Sequence, residues 1–288
     1  SKAFAMMGNY QEAMSVVEVA VEDDEYARFP LLSTQLAEVK RAVGESKEAL
    51  EILDSVVAGL AEPPVRTLVQ YGSLLDFVGQ KQIAFSILDQ AVQRYNNGLV
   101  FASEDVAMVA LASWLMGNFH DANSLFSEAT RANPNNLEAH SLWGDLFLEK
   151  YNASDAERSY KEAIDINGRY VPALVGMANV IGDERALQRA LAINPNSIPA
   201  METYGQLLMV NGREEEAQDY FERVLALNSE SLKTLSVLAS QAALEERSAQ
   251  YEDYLAQVES FSPNNPIFLG NVADSFGNNY LFDEAVEF

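Results

Sequence analysis

The side chains that could carry acid–base or metal chemistry are few. The chain has two histidines, His120 and His140, and no cysteine. Without thiols there is no disulfide framework, thiolate zinc site or cysteine nucleophile. Neither histidine sits in a metal-ligand pattern such as H-E-x-x-H. The acidic run EDDE at 22–25 invites a cation, but a calcium loop needs alternating carboxylates around a central Gly. None follows, so a solvated turn between helices is the expected use. NAS at 152–154 matches a glycosylation sequon, a three-residue pattern that chance supplies easily. No nucleophile elbow, Walker loop or dinucleotide fingerprint occurs. The chain therefore reads as a non-enzyme, with no catalytic residue, no metal and no cofactor.

Bulk properties narrow the partners. The chain has 288 residues, with 43 acidic against 19 basic ones, a formal charge of −24. Such a surface repels phosphate backbones and anionic lipid. Nucleic acid and membrane surfaces are poor partners, and basic or apolar protein segments are favoured. Hydrophobic residues make up 48%, enough for an extended core. No apolar run is long enough to span a bilayer, and no charged-then-apolar leader is present. The sequence does not choose between cytoplasm and periplasm.

What remains is spacing. With 34-residue units numbered so that Gly144 is position 8, Ala156 is position 20, Tyr160 position 24 and Ala163 position 27. Unit 198–231 repeats this with Gly205, Ala217, Phe221 and Val224. Across units 30–63, 65–98, 103–136, 137–170, 171–197, 198–231, 232–265 and 266–288, position 8 is Ala37, Gly72, Ala110, Gly144, Ala178, Gly205, Ala239 and Ala273. Gly and Ala together are roughly one residue in six of ordinary sequence, so chance would give this about once in a million. A partial unit covers about 1–25. Each unit reads as two antiparallel helices, A and B. Gly at position 15, as in Gly117 and Gly212, ends helix A in a left-handed turn. Small residues at 8, 20 and 27 let helices approach. Large ones at 7, 11 and 24 (Trp143, Phe147 and Tyr160) fill the space beside them. His140 falls at a packing position and His120 at an A–B turn. Pro134, Pro195 and Pro263 at position 32 stop helix B.

This pattern closely resembles the tetratricopeptide repeat family, over one array spanning 1–288. The resemblance implies an all-α, right-handed superhelical solenoid of helix-turn-helix repeats, with helix A lining a concave groove. It implies a protein–protein interaction scaffold or adaptor. In the family geometry, positions 2, 5, 9 and 12 of helix A face that groove. The central groove set is then Glu104, Ala107, Leu111 and Trp114; Glu138, Ser141, Asp145 and Leu148; Asn179; and Glu202, Gln206 and Met209. Trp114 beside Glu138 and Asp145 suits an apolar anchor with a Lys or Arg neighbour. The Lys, Arg and Asn set with which some family members hold a C-terminal carboxylate is missing. Arg41, Arg66 and Lys233 are scattered, so acidic tails are not expected ligands.

Three departures carry expectations. Unit 171–197 is seven residues short near Gly182 and Asp183, which suggests a loop missing from the chain. Tyr251 stands where Ala is expected, which should splay its helices. Leu99–Ala102 are inserted after Gly98, which should bend the array. Because contacts in a solenoid run between neighbours, the array should flex as a spring. The chain starts inside a helix A and ends inside a helix B, as part of a longer array would. Two other functional classes remain open. One is a recognition arm of a larger peptidase or transferase. The other is self-assembly through apolar ends such as FDEAVEF at 282–288.

Overall fold

The computed structural model describes residues 9–22 and 29–278. Among them lie sixteen α-helices and no strand. The first eight are α1 (Tyr10–Glu22), α2 (Pro30–Ala42), α3 (Ser46–Ala58), α4 (Val65–Phe77), α5 (Lys81–Asn96), α6 (Ser103–Leu115), α7 (Phe119–Ala132) and α8 (Leu137–Glu149). The rest are α9 (Ala153–Ile166), α10 (Val171–Ile181), α11 (Glu184–Ile193), α12 (Ile198–Val210), α13 (Glu214–Leu227), α14 (Leu232–Leu244), α15 (Ser248–Phe261) and α16 (Pro266–Asn278). The chain is an all-α solenoid of helix pairs. Each even helix packs on its own odd partner and on the even helices before and after it. The odd helices make no comparable contact with one another among the described residues. Even helices therefore crowd the inner wall and odd helices form the outer one. The EDDE run lies almost wholly outside the described residues, and the segment 282–288 lies wholly outside.

Position 8 is small because position 24 lies over it. A Cβ on Gly144 would sit 2.5 Å from the Tyr160 ring, and one on Gly205 2.5 Å from the Phe221 ring. Gly72 meets Leu88 in the same way, at 2.6 Å. Tyr160 is enclosed from both sides, since Gly176 of the next inner helix also faces its ring. Tyr160, Phe126 and Phe221 are essentially fully buried.

The turns have two builders. Inside the hairpins, Gly117 and Gly212 adopt φ of 81° and 71°, values an L side chain resists. Tyr151 and Glu246 occupy the equivalent places at φ 56° and 57°. Between hairpins, the work falls to asparagine rather than to proline alone. The side chains of Asn133, Asn167, Asn194 and Asn228 each accept the backbone N–H two residues on, at 2.9–3.0 Å. This Asx turn reverses the chain after α7, α9, α11 and α13. Asn136, Ser197 and Ser231 then cap the next inner helix.

The short hairpin needs no missing loop. Compared with α8 and α9, α10 is two residues shorter, α11 four shorter, and the turn one shorter. The whole deletion falls at the hairpin tip. Gly182 takes φ 66° and the Asp183 side chain accepts from Arg185 N–H, so the tip closes with its own cap. Leu187 and Ala190 remain fully buried. The contacts nearest the hairpin's base are kept, which is why the array runs through it unbroken. At the Tyr251 departure, α15 buries only Val258 fully.

The spring expectation is corrected by contacts between distant hairpins. The winding brings each early hairpin tip against the inter-hairpin turn five hairpins on. Tyr10 Oη donates to the Asn196 carbonyl at 3.3 Å, and Ser46 N–H to the Glu230 carboxylate at 3.2 Å. The Ser262 hydroxyl donates to the Phe77 carbonyl. The Phe77 ring stacks on Phe261, centroids 5.6 Å apart and planes 13° from parallel, with the Arg41 guanidinium 5.6 Å from the Phe77 centroid. A seam thus joins residues up to 186 positions apart.

Gly205→Ala should lower the urea midpoint, against the usual gain of about 1 kcal/mol for Ala over Gly in a helix. The clash with Phe221 is expected to cost about 1–3 kcal/mol. Adding Phe221→Leu should recover part of that loss. Urea unfolding of the single and double variants checks it, and strictly additive losses would refute the stated packing.

Candidate peptide-binding groove

The inner wall places the sequence-derived groove residues unevenly. Glu104 is exposed and accepts from Asn133 at 3.2 Å. Leu111 and Trp114 pack partly against the core, and the Trp114 indole N–H donates to Glu149 at 2.6 Å. Ser141 and Ala107 are buried and offer no surface. Asn179 is exposed, and Met209 is half-buried against the core. Trp114 and Glu138 each have a different hydrogen-bond partner, Glu149 and Arg66.

Three groove acids are already engaged. Glu138 binds both terminal nitrogens of the Arg66 guanidinium, at 3.2 and 2.5 Å. The same guanidinium lies 3.5 Å from Glu38, so one arginine ties α2, α4 and α8 together across the inner wall. Asp145 accepts the Tyr160 hydroxyl at 2.6 Å, and Glu202 accepts the Ser231 hydroxyl at 2.6 Å. Burial pushes the carboxyl groups of Asp145 and Glu202 above the usual range, and those hydrogen bonds only partly oppose it. Burial likewise depresses the Lys233 ammonium, with Glu202 pulling the other way. The Tyr170 hydroxyl is raised by burial and by the nearby charges of Glu138 and Asp145. His140 is a packing residue: it is buried, with its ring nitrogen 3.0 Å from the Pro134 carbonyl oxygen. Asn152 of the sequon caps α9, accepting from Asp155 N–H and donating to the Asp155 carboxylate.

Two spaces open along this wall. A small one of about 180 Å³ sits at the seam, where Glu202 faces Arg41, Phe77 and Glu230. A larger cleft of about 540 Å³ runs across α12, α14 and α16. Gln206 enters it with Lys233, Ser236, Val237, Ile267 and Asp274. Ile267 is 61% exposed. Of the sequence-derived set, only Gln206 reaches this cleft. The others were missed because the reading stopped at the central units. The same helix A positions carried into 232–265 lead to Lys233, Ser236 and Ser240. Among the described residues no cluster of His, Asp or Glu could hold a metal, and no helix is long and apolar enough to cross a membrane.

Residues 198–231, the pair α12 and α13, match the family described as Tetratricopeptide repeat. That hairpin matches a tetratricopeptide repeat, and the hairpins before and after it repeat its helix pairing. The chain's fold is similar to that of a thermophilic TPR protein in Thermus thermophilus. The two are 18% identical, with 61% of this chain and 99% of that one covered and a TM-score of 0.53. A tetratricopeptide repeat protein from Parabacteroides merdae ATCC 43184 aligns over 96% of this chain and 95% of its own, at 16% identity and a TM-score of 0.49. Pseudomonas aeruginosa pilF aligns over 64% and 87%, at 17% identity and 0.47. No curated protein matches the sequence. Tetratricopeptide-repeat proteins are generally non-catalytic, and the fold points to a protein–protein interaction or scaffold role.

Within this array of hairpins the buried acids set a pH dependence. Burial raises Asp105, Asp145, Glu202 and Glu230. A carboxyl raised in the folded state favours folding while protonated, and that contribution is lost as pH climbs through the raised value. The urea midpoint should therefore increase as pH falls from about 8 to about 5, with Asp145→Asn flattening the profile. Denaturation series across that range check this, and a midpoint that climbs steadily toward alkaline pH would refute it.

Proposed function

We propose that this chain is a non-catalytic scaffold or adaptor, one array over 1–288 with the units set out above. It holds a basic or apolar segment of a partner protein against its inner wall. One observation carries the reading: the open cleft across α12, α14 and α16, where Leu232, Val237 and Ile267 lie among polar side chains. An exposed isoleucine in a concave space is a natural anchor for an apolar partner side chain. Asp274 on the cleft's edge and the overall charge of −24 favour cationic flanks around that anchor. The groove acids Glu138, Asp145 and Glu202 act in this reading as internal supports of the wall.

A labelled apolar peptide with lysine flanks is expected to bind more tightly than the same peptide with glutamate flanks. Ile267→Asp should weaken the lysine-flanked peptide at least about tenfold, equivalent to about 1.4 kcal/mol. Fluorescence anisotropy titrations measure both. Preference for the glutamate-flanked peptide, or indifference to the substitution, would overturn the reading.

A further inference from the structure

The seam leaves two matching rims unused. Every hairpin tip lies on one edge of the solenoid, and every inter-hairpin turn lies on the other. Where winding brings the two edges together, tip meets turn: the tip at Gly44 meets Asn228 and Ser229, and the tip at Gly79 meets Pro263. A Cβ at Gly44 would be 2.8 Å from Asn228 Oδ1, and one at Gly79 3.5 Å from the Pro263 carbonyl. Among the described residues, the equivalent tips at Gly117, Gly182 and Gly212 have nothing within 4 Å of that position. These later tips belong to the same edge and carry the same backbone turn.

Two open tips present exposed apolar side chains. Val210, beside Gly212, is 84% exposed, and Ile181, beside Gly182, is 54% exposed. The filled tip shows what such a residue does. Phe77 stands just before Gly79, as Val210 stands just before the Asn211–Gly212 turn, and it is covered by Phe261. The opposite edge, at the early turns, is also apolar. In the inserted turn after α5, Leu99 is 65% and Phe101 80% exposed.

We propose that the free rim of hairpin tips docks onto the free rim of inter-hairpin turns of a second copy of this chain, continuing the seam from one molecule to the next. The occupant is a second copy because the chain already contains both halves of the contact and pairs them internally three times. The contact is heterologous, tip to turn, so it does not close at two molecules and growth is open-ended. It does not involve the 540 Å³ cleft, and it moves self-association away from the segment 282–288. A charge of −24 per copy opposes stacking, so the assembly strengthens as salt screens that repulsion.

Sedimentation velocity of the full chain over a wide concentration range, at low and high salt, tests this. The expected result is a weight-average mass that climbs with concentration, more steeply at high salt. Two variants block one rim each: Ile181→Asp with Val210→Asp at the tips, and Leu99→Asp with Phe101→Asp at the turns. All four residues are exposed, so thermal melts should remain those of the parent chain. Each variant alone should lose association at least about tenfold and run as a monomer. An equimolar mixture should give a dimer and nothing larger, because only one intact tip rim then meets one intact turn rim. A parent chain that stays monomeric at every concentration and salt would overturn the proposal. So would growth untouched by both variants, or a mixture that behaves as its separate components.

Discussion

The array rests on one contact, repeated: the large side chain at position 24 lying on the small residue at position 8. In α4, α8 and α12 that small residue is a glycine in mid-helix, which costs about 1 kcal/mol of helix stability relative to alanine. The glycine is tolerated because it admits Leu88, Tyr160 or Phe221 into the interior. Burying such a side chain returns about 1.5–3 kcal/mol, so the exchange favours the close approach. Alanine stands at the same position in Ala110 and Ala37, both fully buried, with Phe126 and Leu53 at position 24 of their units. Tyr160 shows the contact serving two interfaces at once. Its ring fills the space beside Gly144 in its own hairpin and beside Gly176 in the next, so hairpin closure and hairpin stacking are set by the same side chain.

A fixed step between hairpins, repeated, must wind. The consequence appears only after five hairpins, when tip and turn meet. From there on the thermodynamics differ from those of an open solenoid, in which stability is a sum of nearest-neighbour terms. Opening any hairpin between Ser46 and Glu230 also strains the bond that joins them. The same winding narrows the inner wall, so charged side chains there satisfy one another. Arg66 holds both Glu38 and Glu138, two acids separated by one hundred residues of chain.

The repeat was legible because it is local: one small and one large residue at fixed separation, within a single hairpin. The left-handed tips were legible where glycine marks them, at Gly117 and Gly212, and hidden where Tyr151 and Glu246 take the same conformation. The Asx turns at Asn133, Asn167, Asn194 and Asn228 were in plain sight at one repeat position, but the neighbouring prolines drew the explanation to themselves. The seam had no local signature at all. Nothing in Phe77 or Phe261 announces a partner; their meeting is set by the rotation accumulated over the intervening helices. The groove reading failed in detail for the same reason. Periodicity tells which face a residue occupies, not whether a neighbour already covers it. Ser141 lies on the inner helix and is buried, and Asp145 is held by the Tyr160 hydroxyl of its own hairpin.

The placement of charge follows from this geometry and bears on recognition. A count of acids assigns the groove a strongly negative character, yet the inner wall is largely compensated. Glu138 is paired with Arg66, while burial raises the Asp145 and Glu202 carboxyl groups against the hydrogen bonds they accept. Exposed acids crowd instead onto the outer helices. Glu214, Glu215 and Glu216 open α13, followed by Asp219 and Glu222, and Glu157, Glu162 and Asp165 lie along α9. The long-range field therefore surrounds the molecule rather than pointing into the groove. It can draw a cationic partner near and hold copies apart in dilute salt. It cannot supply the short-range complementarity that selects one sequence over another. That selection must come from the shape of the cleft and from its apolar lining at Leu232, Val237 and Ile267. On the wall of this array, attraction and discrimination are supplied by different faces.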